Sequence, residues 1–74
     1  MDAMEQHPPS LAEQVEAFLT LHNMSPVTFG RKALRDPHFV RDFRAGRDLK
    51  MSTVDRVRTF MAEYEAEVDT ARAA

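Results

Sequence analysis

Nine of the ten Lys and Arg side chains in this 74-residue chain lie between Arg31 and Arg58, and they are the groups with the clearest chemistry. Guanidinium and ammonium groups at that density hold phosphate oxygens, and an arginine at a base edge donates two hydrogen bonds to guanine, worth about 1–3 kcal/mol of discrimination. Other chemistries lack their parts. With no cysteine there is no thiolate, disulfide or Cys-based zinc site, and His7, His22 and His38 fall in separate segments without metal-ligand spacing. His22, alone at the end of an apolar stripe, reads as a surface or capping residue. The only serines, Ser10, Ser25 and Ser52, each stand where a helix cap belongs, and Gly30 and Gly46 are too few for a Gly-rich phosphate loop. The sequence therefore predicts no enzyme, no catalytic or metal-binding residue, no cofactor and no small-molecule ligand.

Short helices must position the cations. Ser25-Pro26 and Asp36-Pro37 each set an oxygen-bearing side chain before a proline, a residue tolerated in a first helical turn. They predict one helix over Pro26–Leu34 and another from Pro37 to a stop at Gly46. Each has a single apolar face, Phe29 and Ala33 in the first and Phe39, Val40 and Phe43 in the second. Neither is long enough to persist alone. Upstream, Ser10-Leu11-Ala12-Glu13 is a capping box. It opens a helix with the stripe Leu11, Val15, Phe18, Leu19 and His22, which Asn23-Met24 closes. Residues 1–9, ending in two prolines, read as a flexible tail, so the domain proper is 10–74.

Downstream, Ser52-Thr53-Val54-Asp55 is a second capping box, opening the longest helix at Thr53. Its Val54, Val57, Met61, Tyr64, Val68 and Ala71 alternate by three and four, a heptad seam. A helix over about 52–72 is roughly 30 Å long, more than a core of this size covers, so its end should project. Met61, Tyr64, Val68 and Ala71 are then candidates for dimerisation. The other reading of the same end, favoured by Ala66, Ala71, Ala73 and Ala74, is a solvated tail. No stretch alternates as a strand would.

The segment from Ser25 to Val57 resembles the helix-turn-helix of the lambda-repressor/Cro-like (XRE-type) family of bacterial and phage DNA-binding proteins. Phe29 matches the buried apolar place of the first helix, and Gly30 the small residue that lets two helices approach. Val40 and Phe43 match the buried places of the recognition helix. Gly46-Arg47 matches a frequent Gly-Lys/Arg after that helix, and Met51-Ser52-Thr53 the lead into the next. The pattern departs at the turn, where the family carries Gly and then a β-branched residue and this chain has Leu34 and Arg35; Leu34 packing in a slightly altered turn is one accommodation. The resemblance implies a second helix in the major groove, with His38, Arg41 and Asp42 toward base edges. Ser25, Thr28, Arg31, Lys32, Arg35, Arg44, Arg47 and Lys50 would then face phosphates. Asp42 either accepts from a cytosine amino group or orients Arg41 or Arg35. The second role is preferred, because a carboxylate facing phosphates is repelled.

The net charge of −2 hides an asymmetric distribution. Residues 1–24 carry Asp2, Glu5, Glu13 and Glu16 with no Lys or Arg, giving −4. Residues 25–58 carry nine basic residues against Asp36, Asp42, Asp48 and Asp55, giving +5. Residues 59–74 carry four acidic residues against Arg72, giving −3. Basic charge thus coincides with the helix-turn-helix pattern. The length gives one domain with little stability in reserve, and no apolar run reaches membrane length. The expectation is an all-α, small four-helix domain with a central helix-turn-helix and a long C-terminal helix. It would be a cytoplasmic transcriptional regulator, bacterial or phage-encoded and of repressor type, binding double-stranded DNA as a homodimer. The alternative is a helical protein-interaction module, antitoxin-like or a phage adaptor, acting through its acidic first and last helices.

Overall fold

The capping signals build the molecule. In a computed structural model describing residues 10–73, α1 spans Leu11–Leu21, α2 Pro26–Leu34, α3 Phe39–Arg44 and α4 Met51–Ala73. The tail expected over residues 1–9 lies outside the described residues. The fold is all-α, a small four-helix domain with α2 and α3 at its centre and a long C-terminal helix. No strand occurs among the described residues, and none of their helices is long and apolar enough to cross a membrane.

Helix α1 starts at the expected capping box. Ser10 Oγ accepts the Glu13 N–H at 3.2 Å while Glu13 Oε1 accepts the Ser10 N–H at 3.1 Å, so two free donors are satisfied reciprocally. It ends with Asn23 in the left-handed region at φ 50°, and the Met24 N–H reaches back to the Leu19 carbonyl at 2.9 Å. Helix α2 has the expected bounds, with Ser25 Oγ accepting from the Thr28 N–H at 3.1 Å and Pro26 in the first turn.

Two helix starts differ from expectation. Helix α3 begins at Phe39 rather than Pro37, because Asp36-Pro37-His38 first makes a turn closed by the Phe39 N–H on the Asp36 carbonyl at 3.2 Å. Asp36 Oδ1 accepts the His38 N–H instead of capping a helix directly. Helix α4 begins at Met51, two residues before Thr53. The Lys50 carbonyl already accepts the Val54 N–H at 3.0 Å, so Ser52 lies inside the first turn and is not the cap.

The core joins Val15, Phe18 and Leu19 of α1, Phe29 and Ala33 of α2, Phe39 and Val40 of α3, and Val57 and Met61 of α4. These are the apolar stripes read from the sequence, meeting at one point. Aromatic rings knit them: Phe29 meets Phe18 at 5.5 Å and Phe60 at 5.3 Å, both edge-on, and Phe39 stacks between Phe29 and Phe43. Phe43, Leu34 and Tyr64 pack against this cluster while partly exposed.

His22 belongs to this packing and is not a surface residue. It occupies the C-cap of α1 with only 12% of its side chain exposed, its ring 4.5 Å from Phe18 and 4.9 Å from Tyr64, and its Nε2 3.2 Å from Glu65 Oε2. The heptad seam is likewise divided. Met61 is buried in the chain's own core and is not free for a partner; Tyr64 packs on that core while partly exposed, Val68 is half-buried and Ala71 exposed.

Candidate nucleic-acid interface

Gly30 fixes the relation of α2 to α3. A β-carbon at this position would collide with the Asp36 carbonyl oxygen, a backbone atom, and would lie 3.3 Å from Phe39 Cβ. The lack of a side chain lets the turn fold onto α2, where the Gly30 carbonyl accepts the Asp36 N–H at 3.1 Å. The turn itself is made by Arg35, in the left-handed region at φ 58° and ψ 31°, its N–H on the Arg31 carbonyl at 2.9 Å. Arg35 thereby adopts the conformation for which a glycine would be the cheaper residue, while Leu34 packs against the core.

Along the surface formed by α2, the turn and α3, the expected base-reading residues fall together. His38 precedes α3 and is exposed, and Arg41 follows one turn later with 71% of its side chain exposed. Asp42 Oδ1 accepts from Arg41 Nε at 3.3 Å and Nη2 at 3.2 Å. Asp42 thus has the orienting contact preferred for it on the sequence, made to Arg41 and not to Arg35.

The expected phosphate-facing residues divide into free and engaged groups. Arg31, Lys32, Arg35 and Lys50 are exposed and make no ion pair among the described residues. Ser25 has both hydroxyl functions committed, accepting from the Thr28 N–H and donating to Thr28 Oγ1 at 2.9 Å. Arg44 is tied across to α1, its Nε 2.7 Å and Nη2 2.9 Å from the two carboxylate oxygens of Glu16. This bidentate bond holds the Glu16 carboxyl below the usual carboxylate range and pushes the Arg44 guanidinium up, partial desolvation opposing both shifts. Arg44 therefore stands as an α1–α3 tie. Arg47 is engaged as well, 3.7 Å from a carboxylate oxygen of Asp36 and of Asp42.

Sequence reasoning left out Arg56 and Arg58 of α4. Both are exposed, and Arg56 lines a shallow groove between α2 and α4 with Lys32, Ala33, Asp55, Thr59 and Phe60. Their signal is present in the sequence, since both lie in the basic segment, though beyond the helix pair. The Glu16–Arg44 tie had no such signal, because 28 residues separate its partners. Among the described residues no group of His, Asp and Glu is arranged to hold a metal ion.

In comparisons with known proteins, no family model, no curated protein and no solved structure matches the chain. The class defined by the fold is an all-α four-helix domain with two short helices set against each other across a left-handed turn.

Proposed function

We propose that this protein binds double-stranded DNA, with α3 entering the major groove and α2 lying across the backbone, and that it acts as a small transcriptional regulator of repressor type. The observation that carries the reading is the close approach of α2 and α3 at Gly30, with His38 and Arg41 exposed at α3 and Arg31, Lys32 and Arg35 exposed on α2 and at its end. Exposed cations on a paired-helix unit supply phosphate attraction, and Arg41 supplies a two-donor edge for guanine. A homodimer reading two half-sites goes with this proposal. Its contact would lie at the projecting end of α4, around Val68 and Ala71. The cytoplasm is the compartment in which such a protein would work.

A random DNA pool subjected to repeated binding and amplification, followed by titration of the recovered sequence at several salt concentrations, tests the proposal. Recovery of one sequence class, bound with a salt-dependent affinity, is the expected result. No retention of any DNA at low salt would sink it. Arg41→Ala should then weaken binding to the recovered site by about 1–3 kcal/mol while leaving binding to scrambled DNA nearly unchanged.

A second reading, binding of a partner protein through α1 and α4, has its own observation. Leu21 is 70% exposed beside Val68, Glu65 and Asp69, an apolar spot with an acidic rim. One protein partner captured at fixed stoichiometry, with DNA absent from the complex, would favour it over the first.

A further inference from the structure

Arg47 follows Gly46 in the exit from α3, and the sequence pattern assigns it to phosphate. Its surroundings argue otherwise. One terminal nitrogen, Nη1, lies 3.7 Å from Asp36 Oδ2 and 3.7 Å from Asp42 Oδ2. The other oxygen of each carboxylate is turned to α3 or its entry: Asp36 Oδ1 accepts the His38 N–H at 3.0 Å, and Asp42 Oδ1 accepts from Arg41. The backbone runs the same way. Gly46, at φ 102°, bends the chain back, and the Arg47 N–H donates to the Asp42 carbonyl at 3.1 Å. A single guanidinium therefore links the turn before α3 to the middle of α3, a six-residue helix whose N-cap makes no side-chain hydrogen bond.

We propose that Arg47 is a positioning residue for α3, drawing Asp36 and Asp42 together so that Asp42 holds Arg41 at the angle from which it reads a base. An isolated exposed ion pair is weak, but here one planar cation is shared by two carboxylates that each have a second fixed bond, which makes a network of the four side chains. Without Arg47, Asp36 loses its ion pair and Asp42 one of its two, leaving Arg41 on a loosened partner. The effect on reading rests on the DNA-binding proposal; the effect on α3 does not.

Two measurements on the full chain test this. The first needs no DNA: amide hydrogen exchange of wild type, Arg47→Ala and Asp42→Asn. Both substitutions should speed exchange at residues 39–44 by roughly 3- to 10-fold over that of α1 and α4, and the double variant should add little to either. Unchanged α3 exchange, or equal acceleration in every helix, overturns the proposal. The second measures affinity for the recovered DNA site and for scrambled DNA across a salt series. Arg47→Ala should lower affinity for the site roughly 3- to 10-fold, spare scrambled DNA and the salt slope, and add nothing in an Arg41→Ala background. Equal loss on both DNAs, with the salt slope reduced by about 1, would make Arg47 a phosphate contact and overturn it. If no DNA is bound at any salt, the DNA-binding proposal fails by itself, and the exchange result still decides whether Arg47 holds α3.

Discussion

Residues 25–47 and the last two turns of α4 are both largely helical, yet different forces hold them. In the first region a serine cap, a glycine contact, a left-handed arginine and two fully buried phenylalanines each fix a position. In the second, Val68 is the only half-buried side chain described beyond Tyr64, and Thr70 Oγ1 merely returns a bond to the Ala66 carbonyl one turn back. Neither α2 nor α3 has the length to persist alone, so tertiary contacts sustain them; the end of α4 is sustained by propensity and by the 23-residue helix it continues. The charge pattern follows the same division. Residues 25–47 carry six Lys and Arg against Asp36 and Asp42, while residues 65–73 carry Glu65, Glu67 and Asp69 against Arg72.

The largest effects are expected from a pair of substitutions, one in each region. Gly30→Ala should cost about 3 kcal/mol, because a backbone oxygen occupies the place of the new methyl and the turn must open. Ala66→Gly should cost about 0.5–1 kcal/mol through helix propensity alone. Denaturant unfolding measures both, and equal costs would show that the two regions are held alike. A smaller effect of opposite sign is expected at the turn. Arg35→Gly should raise stability by about 0.5–1 kcal/mol, since a left-handed L-residue costs roughly 1–2 kcal/mol and glycine returns part of that as unfolded-state entropy. A loss of stability there would mean that the Arg35 side chain itself holds the turn.

The smallest effect lies in the tie between α1 and α3. Glu16 has its carboxyl held below the ordinary value of 4.5 by Arg44, so its contribution is present above that value and is lost as pH falls through the lowered one. Wild type should therefore exceed Glu16→Gln in stability at neutral pH, and the two should converge in acid. The difference should be slight and shrink with salt, because both side chains are about half exposed. A gap that persists at the acid end would assign Glu16 a role other than this ion pair.

Local rules wrote much of the fold into the chain. The Ser10 and Ser25 caps and the three- and four-residue spacing of Val15, Phe18, Leu19, Phe29 and Ala33 needed only neighbours within a turn or two, and α1 and α2 appear where expected; Phe39 and Val40 are buried as expected although α3 starts two residues late. Gly30 was legible only through the family resemblance, as the small residue that lets two helices approach. The start of α4 was not, because Ser52-Asp55 matches a capping box that the chain bypasses once Lys50 supplies the first carbonyl.

Sequence by itself therefore determined that this protein is helical, where its apolar faces lie, and that its positive charge gathers on residues 25–58. Which cations remain free was decided only in three dimensions. Arg44 meets Glu16 across 28 residues, Arg47 gathers Asp36 and Asp42, His22 turns inward between Phe18 and Tyr64, and Met61 leaves the seam for the core. The physical reason is range: caps and periodicity act within a few residues of backbone, whereas ion pairs and ring contacts depend on where separate helices come to rest against one another.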